Sequence, residues 1–166
     1  NSGDPDFFAV PAATFTDKAY AAKLRERIRE GQARFDYAPP SLTVPEREST
    51  SHLSVADERG NVVALTQSIN SFFGSGIVVP GTGVLLNNHL ADFDERPGGP
   101  NAIGPGKRPA SSIAPTVVVK NGRPVLVLGT PGAARIVSAL AQIIINIVDF
   151  GLGLDEAIEA PRVHCL

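Results

Sequence analysis

Residues 48–76 read ESTSHLSVADERGNVVALTQSINSFFGSG, and this stretch decides the fold. Alternating polar and apolar residues predict a strand over Leu53–Asp57, and the next apolar run predicts a second strand over Val62–Ile69. Turn-forming residues 58–61 lie between them, so the two strands are expected to pair as a hairpin. Residues 38–48 ahead of the stretch are polar and rich in proline, which predicts an exposed, extended linker.

The ends of these two strands carry the candidate catalytic residues. Thr50 opens the first strand, and cleavage after Ser49 would place a free α-amine beside its hydroxyl, which makes a self-contained base and nucleophile. Ser51 is a rival nucleophile, but the strand pleat points its side chain to the opposite face. Ser68 and Asn70 close the second strand and share a face by alternation. On the residues alone, an ordinary threonine at a strand start is the favoured interpretation of Thr50.

The rest of the chain shows further helix and hairpin signals. Asn121 and Gly122 separate two β-branched runs, which is the strongest short-range signal for a hairpin. The segment 133–150 is apolar on nearly all faces of a helix, so we expect it to be buried. Hairpins beneath buried helices indicate a layered α+β domain. The other predicted elements are helices over 16–31 (capped by Thr16), 133–150 and 154–160, and strands over 84–86, 116–120 and 124–128.

Composition argues against several classes of function. The formal net charge is −2 and the charges are interspersed, so nucleic acid is a poor candidate partner. A single cysteine, Cys165, excludes an intrachain disulfide and a cysteine-based metal cluster. No apolar run is long enough to span a bilayer. A length of 166 residues predicts one domain with a real core.

Six sequence blocks follow one another after Ser49. They are TSHLSVAD (50–57), GNVVALTQSIN (60–70), FGSG (73–76), LLNNHLADF (85–93), KRPASSIAPT (107–116) and GTPGAAR (129–135). In order and spacing they resemble the small subunit of gamma-glutamyltransferases (gamma-glutamyl transpeptidases), and GDPDFFAVP (3–11) resembles the end of the large subunit. The resemblance implies part of the αββα sandwich of N-terminal-nucleophile hydrolases. It also implies that residues 1–49 end a large-subunit region, with a helix and the pre-cleavage linker, and that residues 50–166 are a small-subunit catalytic region truncated at its C-terminus.

The resemblance assigns catalytic roles to matching positions. Thr50 matches the nucleophile, which attacks the Ser49 carbonyl during self-cleavage and afterwards uses its own α-amine as general base. Ser68 stands where the family has a threonine that supports the nucleophile, and it keeps the hydroxyl. Gly132 and Ala133 match two glycines whose amides form the oxyanion hole, at the start of the long helix. Alanine can serve there if its φ is negative.

The resemblance also implies a binding site for an amino-acid-like donor. Asn70 matches an asparagine that holds the substrate α-carboxylate, and Ser111 and Ser112 match a serine pair that binds the same group. Asp92 matches the acidic residue that binds the α-ammonium, which a carboxylate recognises through a charge-assisted hydrogen bond. His89 stands where glutamine is common, so the donor site has an altered geometry.

The implied activity is cleavage of γ-glutamyl amides such as glutathione. A γ-glutamyl ester on Thr50 is then resolved by water or by an amino-acid amine, with no metal or organic cofactor. The implied partners are these small molecules and the remainder of the large subunit, with no nucleic acid and no membrane span. Two alternatives stay open: a related acylase that removes cephalosporin or glutaryl side chains, and an uncleaved, inactive scaffold.

The limits of the chain lead to further expectations. It begins at Asn1 without a methionine and ends on an apolar tail, so we expect a piece of a longer protein. It runs through the bond before Thr50, so we expect the chain alone to be inactive. The segment 93–107 is shorter than in family members with a lid over the glutamyl pocket, which implies an open acceptor side. The family's habit of export points to a periplasmic or secreted parent.

Overall fold

The computed structural model describes residues 3–32 and 50–164 as a mixture of helices and β-hairpins. This mixture agrees with the α+β prediction. The chain divides into two compact units, Asn1–Val44 with Leu90–Ala110 and Pro45–His89 with Ser111–Leu166. The predicted linker and Ser49 lie outside the described residues.

In the first unit, one short helix precedes the helix predicted over 16–31, and a second occupies part of that range. Helix α1 spans Ala12–Phe15 and helix α2 spans Lys18–Arg25. The predicted cap, Thr16, ends α1 instead, because its hydroxyl donates back to the Ala12 carbonyl at 3.2 Å. Asp17 caps α2 by accepting from the Ala19 amide at 2.7 Å. Every residue after Tyr20 in α2 is exposed, so no tertiary packing extends it to the predicted end.

Asp4 anchors the first unit. Its side chain is 1% exposed and accepts from the Arg108 amide at 2.9 Å, from Nε at 3.0 Å and from Nη2 at 2.6 Å. These hydrogen bonds, together with the positive charge, hold the pKa of Asp4 well below its ordinary value. The same contacts raise the pKa of Arg108. Asp6 also accepts from this guanidinium but is exposed.

In the second unit, β1 (Thr50–Ala56) and β2 (Val62–Ser68) form the predicted antiparallel hairpin. Asp57 holds the turn, because its carboxylate accepts from the amides of Arg59 and Asn61 at 2.9 and 2.8 Å. Hydrogen bonds from the Asn61 side chain and backbone lower the pKa of Asp57. A fixed turn fixes the register, and in this register Thr50 lies opposite Ser68.

The two faces of this hairpin differ in burial. One face has a half-buried polar end, which consists of Thr50, His52, Thr66 and Ser68. The other face carries Ser51 and Gln67 at its end and four apolar side chains that are 44–55% exposed, Leu53, Val55, Val63 and Leu65. The hydrophobic pattern therefore predicted the strands correctly. Within the described residues, however, other parts of the chain pack on the face of Thr50 and leave the apolar side chains of the opposite face exposed.

The second hairpin consists of β3 (Thr116–Lys120) and β4 (Arg123–Leu128), close to the predicted bounds. Asn121 and Gly122 have φ of 52° and 76°, the left-handed pair that a tight two-residue turn requires. The sequence signal for this hairpin is thus confirmed.

Between β2 and the short 3₁₀ helix His89–Asp92 the chain forms tight turns, so the strand predicted over 84–86 is absent. A single isolated bridge joins Val78 and Leu85. Gly74 has φ of 51° and packs so closely on the Leu86 carbonyl that a Cβ would overlap it. Left-handed glycines interrupt any longer ladder.

Helices α3 (Arg135–Val148) and α4 (Leu154–Glu159) contact each other in the second unit. Their buried residues are Ile136, Leu140 and Ala157. The prediction that the long helix is buried on nearly all faces is wrong, since Val137 and Val148 are 57% and 60% exposed. The described residues cover one stripe of α3. Across 3–32 and 50–164, no helix has both the length and the apolar character to cross a membrane.

We expect Asp4→Asn to lower the melting temperature at pH 7, because an amide loses the charge-assisted bonds to Arg108. Folding depresses the pKa of Asp4, so this stabilisation is fully present above the ordinary value of 3.8 and is lost as the pH falls below it. The melting-temperature difference from wild type should therefore shrink on acidification, as calorimetry can measure. Asp6→Asn is the matched control, since its exposed ion pair contributes little. Equal losses for both variants would contradict the anchor.

Candidate active site

The hairpin register brings two hydroxyl groups together at one end of the sheet. Thr50 Oγ1 lies 3.2 Å from Ser68 Oγ, and both side chains are half-buried. A partner hydroxyl at this distance orients the threonine side chain and can share a proton with it. Ser51 is exposed on the other face opposite Gln67, as the strand pleat predicted.

Ser68 also forms hydrogen bonds with Asn70 and His89. Strand β2 ends at Ser68 and Asn70 has φ of 72°, so the predicted alternation does not extend to Asn70. The two residues meet instead because the Asn70 amide donates to Ser68 Oγ at 2.9 Å. His89 Nε2 lies 3.2 Å from the Ser68 carbonyl oxygen, which can only accept, so Nε2 carries the proton. The hydrogen bond from His89 therefore holds the end of β2 in place.

Asn88 completes this cluster, although the sequence did not single it out. Its Oδ1 accepts from the Ser71 amide at 2.9 Å, and its Nδ2 donates to Ser71 Oγ at 2.8 Å. The Asn88 carbonyl accepts from Asn70 Nδ2 at 3.5 Å. Asn88 thus orients the amide group that the resemblance assigns to carboxylate binding. Its place next to His89 was the available signal, but the neighbouring Asn87 has the same side chain.

His52 is a second residue that the sequence reasoning missed. Its Nδ1 lies 2.7 Å from Thr66 Oγ1, its cross-strand partner, and its Nε2 lies 3.0 Å from Ser54 Oγ. The Ser54 hydroxyl donates onward to the Val127 carbonyl on β4 at 3.3 Å. The available signal was spacing, because a residue two positions after Thr50 shares its face of the strand.

Gly132 and Ala133 lie in the loop between β4 and α3. Gly132 is buried with φ of 143°, and Ala133 has φ of 46°, so both are left-handed. The condition stated for the alanine, a negative φ, is therefore not met. The position that is glycine in the resembled family has a left-handed backbone here, and alanine adopts it at a cost of about 1–2 kcal/mol.

The backbone amides of this loop indicate a candidate anion-binding site. The carbonyls of Gly132 and Ala133 accept from the amides of Arg135 and Ile136 at 2.9 and 3.2 Å. Within the described residues, the N–H groups of Gly132 and Ala133 donate to no other group. They precede the first turn of α3, which has no side-chain cap. Unbonded amides at such a helix start are suited to hold a developing negative charge.

The other predicted substrate-binding residues are held in their own loops. Asp92 ends the 3₁₀ helix, and its carbonyl accepts from the buried Asn101 side chain at 2.7 Å. Ser111 is exposed and its Oγ accepts from the Ile113 amide at 3.1 Å, while Ser112 is half-buried. Their roles toward a substrate stay predictions.

The mixed fold and the position of the Thr50 hydroxyl at a strand start agree with the N-terminal-nucleophile hydrolase class. A sequence profile of the gamma-glutamyltranspeptidase family matches residues 1–166, so the chain belongs to that family. The glutathione hydrolase proenzyme of Escherichia coli (strain K12) is 44% identical over 174 aligned positions. The acylase ACY 1 proenzyme of Pseudomonas sp. (strain SE83) is 45% identical over 162.

Solved structures agree with this assignment. The match to the cephalosporin acylase from Bacillus halodurans covers 96% of this chain and 28% of the acylase chain, at a TM-score of 0.79 and 32% identity. Gamma-glutamyltranspeptidase from Pseudomonas nitroreducens, complexed with L-DON, matches 69% of this chain with 65% of its own, at a TM-score of 0.66 and 44% identity. The resemblance in family and fold is thereby confirmed.

The alignments with the two curated relatives each cover 98% of this chain but 30% and 29% of the relatives. The chain therefore spans about a third of the length of the curated proteins that it matches.

We expect Ala133→Gly to raise the free energy of unfolding by about 0.5–1 kcal/mol, because relief of left-handed strain exceeds the entropic cost of glycine. Chemical denaturation measures the change. Ala141→Gly is the matched control: Ala141 is exposed in the interior of α3, so glycine there should lower stability. A loss of stability in both variants would contradict the strain at Ala133.

Proposed function

We propose that the protein containing this chain is a gamma-glutamyltransferase or γ-glutamyl hydrolase that works through Thr50. The observation that carries the proposal is the half-buried Thr50 hydroxyl held 3.2 Å from Ser68 Oγ at the start of β1. Family membership supports it, and glutathione hydrolases are among the relatives.

The proposed activation is self-cleavage of the Ser49–Thr50 bond. The Thr50 hydroxyl attacks the Ser49 carbonyl carbon, the acyl group moves from nitrogen to oxygen, and water hydrolyses the resulting ester. The products are a carboxylate on Ser49 and a free amine on Thr50. On this proposal residues 1–49 end the large subunit and residues 50–166 belong to the small one. The remainder of the large subunit is the proposed partner, and the exposed apolar face of the first hairpin supports such a partner.

In the proposed reaction, Thr50 Oγ1 attacks the γ-carbonyl carbon of the donor while its α-amine takes the hydroxyl proton. The amides of Gly132 and Ala133 hold the oxyanion. The protonated amine then gives its proton to the leaving nitrogen, which departs and leaves a γ-glutamyl ester. Water or an acceptor amine attacks that ester in a second tetrahedral step and regenerates the threonine.

The proposed donor site binds both charged groups of the glutamyl moiety, the α-ammonium and the α-carboxylate. Asp92 binds the α-ammonium, while Asn70, Ser111 and Ser112 bind the α-carboxylate. Asn88 supports this assignment for Asn70, because its carbonyl orients the Asn70 side chain. His89 shapes the site by holding the Ser68 carbonyl that precedes Asn70.

A related acylase is the second candidate, and one observation favours it. The alignment with the glutathione hydrolase is 174 positions long and exceeds the 166 residues of this chain, so that relative carries extra residues. The alignment with the acylase fits within the chain at 162 positions. The ratio of kcat/KM for γ-glutamyl and glutaryl anilides separates the candidates, because a glutaryl group lacks the α-ammonium that Asp92 would bind.

For the native protein we expect release of p-nitroaniline from L-γ-glutamyl-p-nitroanilide, with kcat/KM at least tenfold above that for the glutaryl analogue. A charge-assisted hydrogen bond contributes about 1.5–3 kcal/mol, which accounts for such a ratio. Thr50→Ala should reduce kcat by about 10³-fold or more, since it removes the nucleophile.

Ser51→Ala is the matched control, because Ser51 is exposed on the opposite face. Its variant should keep near-normal turnover. Full activity of Thr50→Ala, or preference for the glutaryl compound, would overturn the assignment of the nucleophile or of the donor respectively.

A further inference from the structure

We propose that His52 is a positioning residue that sets the distance between the strand of Thr50 and the loop of Gly132 and Ala133. The catalytic consequence rests on the proposed function, whereas the positioning itself rests on contacts within the second unit. His52 follows Thr50 by two residues on β1, so both side chains lie on the same half-buried face of the hairpin.

Hydrogen bonds at both ring nitrogens fix the orientation of the imidazole. Ser54 has one hydroxyl proton and gives it to the Val127 carbonyl, so its oxygen accepts from His52 Nε2 at 3.0 Å. In the neutral ring Nδ1 is then the acceptor, and Thr66 Oγ1 donates to it at 2.7 Å. The imidazole thus stands between β2 and the end of β4 in a single tautomer.

Gly129 packs directly against this ring. A Cβ added at Gly129 would overlap Nδ1, Cε1 and Cγ of His52, so only a glycine fits while the imidazole is present. Gly129 does not have a left-handed φ, so an alanine there meets a steric conflict and no backbone strain. The side chain of His52 is therefore the surface on which the end of β4 rests.

The loop that leaves this contact is short. Gly129 is followed by Thr130 and Pro131, and then by the two residues whose amides would hold the oxyanion. Because the ring touches both the start of the loop and the strand of Thr50, its thickness sets how far those amides lie from the nucleophile. A displacement of about 1 Å at such a site can lower turnover about 10²-fold.

The contact generates a specific double-mutant prediction in the native protein. His52→Ala removes the support and Gly129→Ala forces the loop away, so each should lower kcat about tenfold or more while the donor KM changes less than threefold. In His52→Ala/Gly129→Ala the added methyl group enters the space that the ring vacated. The double variant should therefore be more active than Gly129→Ala alone, a coupling that independent effects do not produce.

Matched controls separate positioning from general destabilisation. His164→Ala removes a histidine that bonds to Ser138 on α3 and should leave kcat unchanged. Gly153→Ala adds a methyl group at φ of −62°, where the nearest neighbour is the Glu156 carboxylate at an ordinary 3.5 Å. It too should leave kcat unchanged. Melting temperatures of all variants show whether any loss of turnover follows stability.

Amide hydrogen exchange tests the positioning without any substrate. In His52→Ala the amides of Arg135 and Ile136, which donate to the carbonyls of Gly132 and Ala133, should exchange faster than in wild type, while those of β3 should not change. Unchanged exchange with multiplicative losses of kcat in the double variant would overturn the proposal. Faster exchange in a protein that turns over no γ-glutamyl anilide would uphold the positioning of the loop and reject the proposed function, so the two failures are distinguishable.

Discussion

The hydrogen bond between Thr50 and Ser68 is the interaction on which the rest of the site depends. It exists because an antiparallel register places residue 50 opposite residue 68, and that register is fixed at the other end of the hairpin by the carboxylate of Asp57. A shift of one residue would turn Thr50 to the exposed apolar face. Position in the strand, and not the threonine itself, therefore creates the candidate nucleophile.

Local signals predicted the two hairpins and the limits of α3 and α4 well, because turn chemistry and periodicity act over a few residues. Asn121 and Gly122 adopt the left-handed pair that their identities predict, and α3 begins within two residues of its predicted start. Predictions that depended on neighbours were less reliable. An apolar helix was expected to be buried on nearly all faces, yet Val148 is exposed, since burial is decided by what packs against a helix and not by its own sequence.

The candidate site shows the same division. Thr50 and Ser68 could be chosen from the sequence because strand ends and family motifs mark them. His52 and Asn88 could not, because their importance lies in contacts with Gly129 and Ser71 that are remote along the chain. The left-handed φ of Ala133 was also beyond sequence reasoning, which treated alanine as tolerable only with a negative φ. Residue 129 must be a glycine because the His52 imidazole packs against it, a contact that only the structure reveals.

The intact mass of the native protein under denaturing conditions, with sequencing of any new N-terminus, tests the central claim most directly. If Thr50 is a nucleophile that activates itself, purified protein yields two polypeptides and the second begins at Thr50. A single uncleaved polypeptide, or a new terminus at Ser51, would contradict the account. A single uncleaved polypeptide would indicate an inactive scaffold. A new terminus at Ser51 would assign the nucleophile to the residue on the other face of the strand.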